Sequence, residues 1–117
     1  MQTNVHIDAG VCGFHTRAIA VCDDSQHVKL DIKSDCEKIQ ALAGRLAECG
    51  ELDAYQEISP ESQSTLLAAA REALPGCCAG CAVPVGLFKA MQVAAGLALP
   101  KNIVVEINCE QAASSPS

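Results

Sequence analysis

Three of the chain's eight cysteines crowd into Cys77-Cys78-Ala79-Gly80-Cys81. Eight cysteines in 117 residues is a density that calls for disulfides, metal ligands or redox thiols. The spacing Cys78-x-x-Cys81 lets one loop offer two sulfurs to one centre. Two remote cysteines sit in similar surroundings. Cys36 falls where a helix opens, and the unpaired N–H groups and dipole of a helix start stabilise a thiolate. Cys12 is bracketed by Gly10 and Gly13, so the chain there can wrap closely around a ligand. Cys81 lies just ahead of another helix. Cys12, Cys36, Cys78 and Cys81 therefore make a candidate four-thiolate set, with Cys77 as a substitute ligand. Four thiolates suit tetrahedral zinc or an iron–sulfur cluster. A zinc ribbon would supply a second close Cys/His pair, and this chain has none. Apolar, amide-rich and glycine-lined surroundings suit a cluster, because burial and N–H···S hydrogen bonds tune its potential. The expected cofactor is an iron–sulfur cluster, 4Fe-4S first, with zinc as the alternative.

The other cysteines have plainer explanations. Cys49 is three residues past Leu46 on one helical face and reads as a small buried hydrophobe. Cys109 continues the alternation of Ile103, Val105 and Ile107 and reads the same way, and Cys22 ends a strand on the face of Ala18 and Ala20. A second use of Cys78 and Cys81 is a thiol–disulfide dithiol activated by the following helix. That motif normally follows a strand in a βαβ unit, whereas here a helix and Pro75-Gly76 precede it. His15 is close enough to Cys12 to be a substitute ligand or to orient one. His6 and His27 read as solvated, as do Asp23-Asp24, Asp53 and Glu57. No Ser-His-Asp order, phosphate-binding glycine loop or dinucleotide fingerprint occurs, so an enzyme is the less favoured class.

Composition narrows the partners. A net charge of −6 leaves no basic stripe for phosphates. With no Trp, one Tyr and two Phe there is also no platform for stacking bases. Nucleic acid is excluded, and a redox protein or metalloenzyme is the expected partner. Half the residues are apolar, so the core must be built from Ala, Val, Leu and Ile. The apolar stretches near 81–88 and 90–99 are short and interrupted, which argues against a membrane span. The first residues lack the basic-then-apolar pattern of an export signal, so the expected compartment is the reducing cytoplasm.

The elements that must position the thiols follow from periodicity. Strands are expected at 3–8, 16–22 and 27–33, the last with Val28, Leu30 and Ile32 alternating with Lys29, Asp31 and Lys33. Ser34 and Glu37 form a capping box for a helix that buries Ile39, Leu42, Ala43 and Leu46 and stops at Gly50. Residues 51–58 read as an irregular acidic loop anchored by Tyr55 and Ile58. A second helix begins at Pro60 and buries Leu66, Leu67, Ala70 and Leu74. A third runs from Pro84 to about Leu97, apolar nearly all round and therefore central. A last strand is expected at 103–109. The order βββαααβ predicts a single α+β domain over residues 1–110, a small antiparallel sheet covered by three helices. Residues 111–117 read as a disordered tail.

Gly10-Val11-Cys12-Gly13-Phe14, Ser34-Asp35-Cys36, Cys81-Ala82-Val83-Pro84 and Gly96-Leu97-Ala98-Leu99-Pro100 resemble the motifs of a small single-domain family of anaerobic bacteria and archaea. The resemblance spans roughly residues 5–107. It implies cysteine at positions 12, 36 and 81, often histidine at 78, and no assigned activity. Ala82 departs from the proline usual after the last cysteine. The expected function is a cysteine-ligated metal-binding protein, carrying an iron–sulfur cluster for electron transfer, cluster delivery or service to a redox enzyme. The alternatives are a thiol–disulfide oxidoreductase using Cys78 and Cys81, and a zinc-stabilised structural domain.

Overall fold

The computed structural model describes residues 1–110, so the expected tail at 111–117 lies outside the described residues. Strands β1 (Gln2–Asp8), β2 (His15–Cys22), β3 (His27–Ser34) and β4 (Leu52–Asp53) form one antiparallel sheet in the order β1-β2-β3-β4. Their alternation decides which face is covered. Ile7, Thr16, Ala18, Ala20, Cys22 and Val28 point under the helices, and their neighbours point to solvent. Helix α1 (Glu37–Cys49) lies over β3, and α4 (Val83–Ala94) lies over β1 and β2. Helix α3 (Thr65–Ala73) fills the space between α1 and α4. The α+β class and the small antiparallel sheet agree with the sequence reading.

Small residues on the central strand let the helices come close. The tightest approach is at Gly86, where an added Cβ would stand 2.5 Å from Ile7 Cδ1 and 2.7 Å from Ile7 Cγ1. The nearly all-apolar character of α4 is spent on this packing, with Val83, Leu87, Ala90, Met91 and Ala94 buried.

Several local expectations are corrected. Residues 103–109 form no strand, and the fourth strand is the two-residue β4. β4 pairs only with His27 and Val28. Among the described residues four α-helices stand where three were expected, because 51–74 is divided differently. The short helix α2 (Ala54–Ile58) is capped by Asp53, whose carboxylate accepts from the N–H groups of Tyr55 and Gln56. Helix α3 starts at Thr65 rather than at Pro60, capped by Ser64. Glu57 is buried rather than solvated and completes that cap. Its carboxylate accepts from Ser64 Oγ at 2.6 Å, Thr65 N at 2.7 Å and Leu66 N at 3.0 Å. A carboxylate against a helix start satisfies free N–H groups and the dipole together. Tyr55, Ile58 and Leu67 are substantially exposed and anchor nothing, since the buried stripe of α3 is Leu66, Ala69 and Ala70.

The β2–β3 turn is held by Asp24, which accepts from Gln26 N at 3.0 Å and His27 N at 2.7 Å. His27 Nδ1 stands 2.7 Å from the other carboxylate oxygen, so His27 is not simply solvated. The backbone N–H of His27, foremost, holds the Asp24 carboxyl well below the usual carboxylate range. The Asp24 hydrogen bond raises His27 above its ordinary value of 6.5.

Three outcomes follow from this packing. Gly86→Val should cost about 2 kcal/mol in urea unfolding, because an overpacked site forces Ile7 or the helix to move. Glu57→Ala should cost about 2 kcal/mol by the same measurement, since it strands the N–H groups of Thr65 and Leu66. The Asp24–His27 contribution to stability is complete between pH 3.8 and 6.5. It is lost as pH rises through the raised His27 value, and as pH falls through the lowered Asp24 value. In an NMR titration His27 should lose its proton above 6.5, and Asp24→Asn should return it towards 6.5.

Candidate functional site

The candidate thiols come from three segments that the fold carries to one end of the sheet. Cys12 lies in the 9–14 loop joining β1 to β2. Gly10 and Gly13 adopt φ of 90° and 74° there, backbone that glycine adopts without strain. Gly13 N donates to Gly10 O at 2.9 Å, and Gly10 N donates to Asp8 Oδ1 at 3.0 Å. The resulting tight loop pushes Cys12 into solvent.

Cys36 reaches the same end through β3. Thr16, at the start of β2, faces Ser34, at the end of β3, and their hydroxyls are 2.8 Å apart. Asp35 N donates to His15 O at 3.2 Å. The chain then turns into α1 with Cys36 itself as the N-cap residue, two residues later than the Ser34 cap the sequence predicts. Ser34 caps by a different route from the one expected. Its Oγ accepts from Cys36 N at 3.1 Å, while Cys36 O accepts from Gln40 N at 2.9 Å.

Cys78 and Cys81 arrive from the other side of the core. Pro75-Gly76 ends the α3 segment, and Gly76–Gly80 forms a single 3-10 turn. Cys81 follows it, with Cys81 N donating to Cys78 O at 3.0 Å. The Gly86–Ile7 contact ties the first turn of α4 to the loop end of β1, which fixes Cys81 at that end of the sheet. Lys38, in the first turn of α1, extends its Nζ to 3.3 Å from Cys78 Sγ, so Cys36 and Cys78 flank the same helix start.

Burial separates these sulfurs. Cys36, Cys78 and Cys81 are half-buried against the hydrophobic core, whereas Cys12 and Cys77 are exposed. Of the adjacent pair it is Cys78 that faces inward and Cys77 that faces out. Among the described residues, no three His, Cys, Asp or Glu side chains are gathered around one point that could hold a metal ion. Three sulfurs are thus seated on the core, and Cys12 stands on an exposed, glycine-flanked loop.

The remaining cysteines divide unevenly. Cys22 is buried in the core, as its strand position implies. Cys49 and Cys109 are exposed, against expectation. Cys49 is the last residue of α1, beyond the point where Leu46 closes the apolar stripe and Gly50 reverses the chain. Cys109 lies beyond the last regular element.

A histidine pair lies next to the Cys12 loop. His6 Nε2 and His15 Nδ1 are 3.0 Å apart, and the rings stack with centroids 5.1 Å apart. The two lie on the open sheet face, with His15 beginning β2 just after the Cys12 loop. Treating His6 as a lone solvated residue misses this pair. The signal that finds it is hairpin register, in which His6 opposite Arg17 shares a face with His15. The acidic groups Asp24 and Asp53 with His27 sit at the far end of the sheet, where Gln26 Nε2 donates to Asp53 at 3.0 Å and lowers its carboxyl. That cluster closes turns and is separate from the thiols.

No match to the chain was found among curated proteins or among solved structures. Residues 3–107 match a family described as a family of unknown function (DUF6951). The match takes in every strand and helix described above except Gln2 of β1, together with all four candidate thiols, and the chain belongs to that family.

Proposed function

We propose that this domain is a cysteine-ligated metal-binding protein whose centre, an iron–sulfur cluster of the 4Fe-4S type, is held by Cys12, Cys36, Cys78 and Cys81. What supports the reading is that Cys36, Cys78 and Cys81 are half-buried against the core, with Lys38 at the Cys36 helix start in contact with Cys78. Each thiolate of such a cluster binds its own iron, so its four sulfurs need not share one metal ion. Zinc, the alternative, needs all its donors about one point. The inner three sulfurs are set by packed elements, and the loop of Cys12 supplies the adjustable fourth. A cluster of this kind takes up and releases single electrons. The half-buried sulfurs would limit water access and tune its potential, while the exposed Cys12 loop would leave one side open to a protein partner. The role that follows is electron transfer, cluster delivery or service to a redox enzyme, in the cytoplasm.

A second reading rests on one contact. An ammonium 3.3 Å from Cys78 Sγ, with Cys81 one turn away, also suits a dithiol that exchanges disulfides.

Anaerobic purification followed by iron, acid-labile sulfide and zinc analysis and an absorption spectrum decides between them. The cluster reading expects iron and sulfide in equal amounts and visible absorption. Cys36→Ser should abolish that absorption with circular dichroism unchanged, and Cys49→Ser should leave it intact. A colourless, metal-free protein that folds normally sinks the reading. If that protein also reduces a disulfide substrate, and Cys81→Ser abolishes the reaction while Cys12→Ser does not, the dithiol reading stands instead.

A further inference from the structure

Beyond α4 the chain runs through residues 99–110 without helix or strand. Leu99, Ile103, Val104, Val105 and Ile107 are all exposed there, Val104, Val105 and Ile107 by about three-quarters or more. The molecule measures 54 × 28 × 28 Å, a domain with an arm. That arm carries the strongest strand pattern left unused in the chain. Ile103, Val105 and Ile107 alternate with Val104 and Glu106, and four of the five are β-branched. An exposed apolar segment of this kind needs a partner to leave water.

The fold has a matching vacancy at its sheet edge. β4 covers β3 only at His27 and Val28, so 29–34 has no strand on that side. Six open positions face a segment of five. Beside this edge runs a groove of about 570 Å³ lined by Leu30 of β3, Leu46 and Ala47 of α1 and Leu52 of β4, with Lys29 and Glu51 at its border. Leu30 and Ile32 are only half-buried under the same edge. The edge therefore offers unpaired backbone and an apolar floor together. β1 is the opposite edge of the sheet, with α4 packed beneath it.

We propose that 103–107 of one copy adds as a strand to the 29–34 edge of a second copy, and that the exchange is reciprocal in a two-fold dimer. In register, Ile103, Val105 and Ile107 share the helix-facing side with Leu30 and Ile32 and close the groove. Val104 and Glu106 then lie on the open face with Lys29, Asp31 and Lys33, two lysines to one acid. The donor arm projects from its own domain, so the second copy is the occupant. The inference does not rest on the metal reading, although the 29–34 edge ends two residues before Cys36.

Light scattering after size exclusion, in reductant so that Cys109 cannot cross-link, should give twice the chain mass of 12.2 kDa. Val105→Asp in the full chain should return the monomer mass with circular dichroism unchanged, because the side chain is exposed in the single copy. Hydrogen exchange should show 29–34 protected in the wild type and exposed in the variant, with β1 unaffected. A wild-type monomer at every concentration, a dimer that survives Val105→Asp, or variant-sensitive protection on β1 instead of β3 would overturn the proposal. Iron content is read separately and does not enter these outcomes.

Discussion

The missing side chain at Gly86 is the constraint on which the rest of the molecule hangs. Helix α4 lies so close to β1 that Ile7 occupies the space of a Cβ. This approach seats Val83, Leu87, Ala90 and Met91 on the small inner residues Ala18 and Ala20. It also fixes where α4 begins, and with it Cys81. Glycine inside a helix costs roughly 1 kcal/mol relative to alanine, so local propensity is traded for closeness of packing. The other thiols reach the same end through backbone pairing. Thr16 against Ser34 brings the start of α1 beside the β1–β2 loop, and the Lys38–Cys78 contact links α1 to the 3-10 turn.

The strands β1, β2 and β3 were legible in the sequence because alternation with one wet face has few competing explanations. The same logic found the helices bearing Ile39, Leu42 and Leu46 and those bearing Leu66 and Ala70. It failed where tertiary contact decides the matter. Nothing local distinguishes Glu57 from a solvated acid, because its role depends on the N–H groups of a helix eight residues on. Leu67 and Cys49 were misjudged because a helical face was extended past the area its partners cover. The 103–109 pattern is strand-like, but pattern carries no information about whether an edge in the same chain is within reach.

For the candidate site, the sequence singles out segments and not side-chain directions. Glycine flanks and helix starts singled out Cys12, Cys36, Cys78 and Cys81, and the fold carries their segments to one end of the sheet. What spacing could not supply was orientation. Adjacent Cys77 and Cys78 differ only in which way a short 3-10 turn faces them. The histidine pair was invisible for another reason: nine residues separate His6 from His15, and only the hairpin register joins them.

The composition of this core has an optical consequence. The helices and sheet pack through aliphatic side chains and alanine, with no Trp in the chain and the single Tyr55 standing half in solvent. No indole is present to emit, and the one phenol lies outside the packed interior. The folded polypeptide is thus nearly dark in the near ultraviolet and transparent beyond it. Light absorbed at longer wavelengths has no source in the protein itself, which makes the scaffold a clean background for any chromophore bound at its thiol end.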